Sequence, residues 1–106
     1  MDKSKVNESV ELIDKHFELD PDESKQLLDS DDFSRLEEQL SNLISFLLDN
    51  DLQRLLNGLY RIDVDEQKFK EILAYEKPEK VSLSIARLII ERELKKVETR
   101  RKYKGL

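Results

Sequence analysis

The 106-residue chain predicts an all-α fold: an irregular bundle of five or six antiparallel helices packed around a long C-terminal helix. Three observations carry that expectation. Apolar residues recur at three- and four-residue intervals over most of the length, which is the period of one helix face. Gly and Pro number only two each, too few for the turns of a β sandwich or barrel. The apolar content is concentrated in 18 Leu, 7 Ile and 4 Phe, enough for one core, so residues 1–106 form a single domain. The 41% of charged residues then belongs on solvated helix faces.

Val6, Val10, Ile13 and Phe17 form a narrow stripe and mark an amphipathic first helix. It ends before Asp20-Pro21, because proline disfavours helix at the residue before it and suits a first helical position, with Asp20 as cap. A short second helix from Pro21 to about Asp29 presents Leu27 and Leu28. Ser30, Asp31 and Asp32 supply caps for a third, along which Phe33, Leu36, Leu40, Leu43, Ile44, Leu47 and Leu48 make one broad face. A break at Asp49-Asn50-Asp51 follows, with Asp51 capping a fourth helix that carries Leu52, Leu55, Leu56, Leu59 and Ile62. Asp63 and Glu66 have capping-box spacing and open a fifth helix with Phe69, Ile72 and Leu73 inward. Pro78 separates it from the last helix, about Glu79 to Arg101.

That last helix is apolar on two sides over its first half. Val81, Ile85, Leu88 and Ile89 share one face; Leu83, Ala86 and Ile90 share another, nearly opposite. A helix of this kind is buried between neighbours. Only the second face continues, through Leu94 and Val97, so the helix is expected to leave the core with one apolar edge needing cover.

Charge is divided along the chain. Residues 1–50 hold 14 acidic and 5 basic side chains, whereas residues 51–106 hold 10 acidic and 14 basic. The basic end, about residues 95–106, contains Lys95, Lys96, Arg100, Arg101, Lys102 and Lys104 beside Tyr103. It has the composition of a phosphate-contacting arm, and also of a helix C-terminus neutralising its backbone dipole or of a segment paired with the acidic half. An overall pI near 5.0 disfavours a dedicated nucleic-acid binder.

Catalytic and metal motifs are sparse. The chain has no Cys, hence no thiolate nucleophile or disulfide framework, and nothing resembling a phosphate loop, HExxH or GxSxG. Calcium-loop registers begun at Asp29, Asp49 or Asp63 place Ser34, Arg54 or Lys68 where glycine is required and Leu40, Tyr60 or Ala74 where glutamate is required. His16 is the only histidine and lies off its helix's apolar stripe, at a boundary or on the surface. Gly58 inside a helical pattern costs about 1 kcal/mol relative to Ala, which points to close helix packing or to a pocket shared with Tyr60 and Arg61; an Arg61–Asp65 pair accompanies the packing alternative.

These observations predict a non-catalytic protein-interaction module without cofactor or metal, most simply a homodimer whose seam is Ile90, Leu94 and Val97. The alternative is nucleic-acid or acidic-partner binding through the basic end. No apolar run approaches the roughly 18 residues a membrane span needs, and a cytoplasmic location is expected.

Overall fold

Short acidic caps decide where the helices begin. The computed structural model describes residues 3–104, and among them runs α1 (Lys3–Phe17), α2 (Pro21–Leu28), α3 (Phe33–Asn50), α4 (Leu52–Ile62), α5 (Glu66–Tyr75), a single 3-10 turn (Pro78–Lys80) and α6 (Val81–Lys104). The all-α expectation holds. Asp20 accepts from the Glu23 backbone N–H, while the Glu23 carboxylate accepts from that of Asp20, a complete capping box at α2. Asp32 caps α3 through Arg35 N, and Asp51 both ends α3 and caps α4 through Arg54 N.

Two local expectations are corrected. Asp63 does not open α5. It closes α4 in the left-handed conformation, φ 63°, which aspartate tolerates better than most residues, and Asp65 is the residue that caps α5 through Lys68 N. With Asp65 so engaged, Arg61 turns instead to Glu18, at 3.3 Å, and the Arg61–Asp65 pair does not form. Leu73 faces outward, about half exposed, because the side of α5 turned to the core carries Phe69 and Ile72.

The core gathers Val6, Val10, Ile13 and Phe17 of α1, Leu27 of α2, Leu36, Leu40, Ile44 and Leu47 of α3, and Leu55, Leu59 and Ile62 of α4 around Ile85, Ala86, Ile89 and Ile90 of α6. Helix α6 packs against α1, α3, α4 and α5, so its two apolar faces are covered from different sides as expected. Pairing of Glu8 with Arg101 and of His16 with Glu93 shows that α1 runs antiparallel to α6 and accompanies it to its far end. No helix of the described residues is long and apolar enough to cross a membrane.

Candidate functional site

The expected seam is not a surface. Ile90 and Val97 are buried within the chain and Leu94 is half-buried. Helix α1 accompanies the outer half of α6, and pairs between Lys5 and Glu98 and between Glu8 and Arg101 tie the two together. The apolar edge is thus covered within the chain by the helices packed on α6, and at the outer end of α6 the acidic half of the sequence meets the basic half through α1.

The same pairing divides the basic end. Arg101 donates to Glu8 Oε2 at 3.2 Å and to Ser4 Oγ at 2.6 Å. Lys96 donates to the Ile62 carbonyl at 2.7 Å, capping the C-terminus of α4. Lys95, Arg100, Lys102 and Tyr103 face solvent, and the Lys104 side chain lies outside the described residues.

Gly58, Tyr60 and Arg61 do not meet in one pocket. Gly58 is buried, and a Cβ there would overlap the ring of Phe17, so the missing side chain lets α1 and α4 approach closely. Arg61 reaches across to the His16 carbonyl, 3.3 Å, and to Glu18. Tyr60 points away from both, 87% exposed.

Tyr60 instead borders the larger of two cavities beside α5. This one, about 750 Å³, has Leu56, Leu59 and Tyr60 of α4 on one wall, Phe69 of α5 on the other, and Leu88 of α6 at its base. Its rim mixes four carboxylates, Asp63, Asp65, Glu66 and Glu91, with three cations, Lys68, Arg92 and Lys95. Arg92 lies 3.7 Å from Asp63, yet its buried Nε has no hydrogen-bond partner. Beside the cavity, Leu52, Leu56 and Tyr60 recur every four residues on one side of α4, and all three are exposed.

A buried ionic cluster lies under α1 and was not foreseen. Glu93 is wholly buried; His16 Nδ1 donates to its Oε2 at 2.9 Å, and Lys96 Nζ stands 3.5 Å from Oε1, which has no hydrogen bond. The carboxylate fixes the imidazole's orientation, an arrangement that elsewhere readies a histidine to move a proton at its other nitrogen. Neither of these two cavities is lined by His16 or Glu93. One sequence signal does point to Glu93: it stands in line with Ile85, Ile89 and Val97 at four-residue steps. Arg54 also went unnoticed. It donates Nε to the Phe17 carbonyl, NH2 to the Glu18 carbonyl and both terminal nitrogens to Glu23, joining α1, α2 and α4.

Among the described residues, no three His, Asp or Glu side chains are grouped so as to hold a metal ion. Comparison with protein-family models, curated proteins and solved structures finds no match to the chain.

Proposed function

We propose that the chain is a non-catalytic protein-interaction module that associates with a second copy of itself through the outer side of α4 and the adjoining cavity. The observation that carries this reading is the exposed ridge of Leu52, Leu56 and Tyr60, of which Leu56 and Tyr60 also form one wall of the adjoining recess. A ridge and a recess side by side on one face suit a two-fold interface, in which each copy lays its ridge into the other's recess. The rim charges favour the same occupant. Four carboxylates interspersed with three cations offer no uniform field to a strongly acidic or basic partner, but complement a surface bearing the same mixture. Isolated exposed apolar residues need no explanation, whereas a contiguous row bordering a cavity does.

Sedimentation across a concentration series from low to high micromolar tests the reading. The native chain should shift from monomer to dimer, and Tyr60→Ser and Leu56→Glu should hold it monomeric while leaving helicity intact, because both side chains are exposed. A native chain that remains monomeric throughout overturns it; retention on heparin by that monomer at low salt would favour the basic end instead.

A further inference from the structure

The geometry points to α5 as a cover that lifts from α6 as a unit, joining two cavities into one continuous groove. Every other α-helix places at least one side chain fully in the interior, whereas α5 buries none and rests on Phe69 and Ile72, each only partly covered. A solvent-open cleft lies on each side of it. The cavity of about 750 Å³ on the α4 side and a second of about 660 Å³ on the other side share Lys68, Leu88 and Glu91, and only α5 separates them. A helix that buries no residue and has an open cleft on either side forgoes much of the dispersion contact a packed helix gains, and belongs at the low end of local stability.

Both ends of the cover are held. Val64 packs against the core before α5 begins, and after it Glu76 accepts from Ser84 Oγ at 2.9 Å and from Lys77 N at 3.1 Å. Opening therefore involves only residues 65–75, bounded by the left-handed Asp63 and the Lys77-Pro78 bend. It uncovers Leu88 along α6 and joins the two recesses. What the opening serves rests on the self-association reading above; the opening itself does not.

Native-state hydrogen exchange on the full chain tests it. In dilute, monomeric protein, the α5 amides should be at least about 100-fold less protected than those of Ile85 to Ile90, with weak dependence on denaturant, since a local opening exposes little surface. Ile72→Ala should accelerate exchange in α5 and leave α6 unchanged. Equal protection in α5 and α6 with the same steep denaturant dependence would mean α5 moves only in global unfolding, and overturns the inference. Repeating the exchange at dimer-forming concentration separates the two ideas: slowed α5 exchange links the cover to association. If sedimentation shows no dimer, association falls while the dilute measurement still decides the cover.

Discussion

The ring of Phe17 occupies the space where a side chain on Gly58 would begin, and this one contact sets how closely α1 and α4 approach. Phe17 is only 2% exposed, so the ring cannot swing into solvent to make room. Gly58→Ala gains about 1 kcal/mol of helix propensity but overpacks the contact, which costs about 1–3 kcal/mol and here falls toward the upper end, because three ring carbons are met. A net loss of about 1–2 kcal/mol is expected in urea unfolding. In a Phe17→Leu background the same change should be neutral or stabilising, since the obstructing ring is gone.

The cluster at Glu93 predicts an asymmetry between its members. His16→Ala removes the one hydrogen-bonded partner of a wholly buried carboxylate and leaves Lys96, 3.5 Å from the other oxygen, as its sole counter-charge; breaking a buried pair in this way costs up to about 3–5 kcal/mol. Glu93→Leu removes the buried charge itself and leaves His16 and Lys96, both partly exposed, to be hydrated. The leucine variant should therefore be the more stable of the two in denaturant unfolding. The reverse order would mean that the carboxylate stabilises the fold beyond satisfying its own desolvation.

Arg54 predicts a response to acid. Its hydrogen bonds hold the Glu23 carboxyl below the usual carboxylate range, with the Asp20 N–H and the guanidinium charge adding to them and burial opposing them. A lowered folded value means that the unfolded chain binds more protons in the acid range. The stabilisation is thus fully present above the ordinary carboxylate range and is lost as pH falls through the lowered value. Arg54→Gln should be less stable than the native chain near neutrality, since it also strips the donor from the Phe17 and Glu18 carbonyls, and its stability should fall less steeply between neutral and acid pH. Parallel pH profiles for the two proteins would contradict the assignment.

What was legible in the sequence was whatever is settled within one turn of chain. Asp20, Asp32 and Asp51 act on backbone N–H groups three residues away, so the starts of α2, α3 and α4 can be seen from spacing alone. Asp63 and Asp65 defeated the same logic, because two aspartates two residues apart compete for one cap and the left-handed turn decides between them. The apolar edge Ile90–Leu94–Val97 was visible, but its cover was not: the helices that pack on α6 come from distant parts of the chain, and periodicity says only that a face is buried, never by what. His16 and Glu93 are separated by 77 positions, and neither looks unusual on its own helix until the other is beside it. The ridge on α4 was hidden within an apparently single stripe, where Leu55 and Leu59 point inward while Leu52 and Leu56 point out.

The basic end is divided between anchored and solvated cations, which predicts different outcomes for neighbouring arginines. Arg101 binds Glu8 and Ser4 across the gap to α1, whereas Arg100 and Lys102, one residue to either side, face solvent. Arg101→Ala should lower stability by about 0.2–1 kcal/mol, the range for a partly exposed pair. Arg100→Ala and Lys102→Ala should leave it unchanged. Raising ionic strength should shrink the Arg101 effect, because the pair is only partly shielded from salt. If all three substitutions were equal in thermal unfolding, the Arg101–Glu8 pair would have no part in holding α1 against α6.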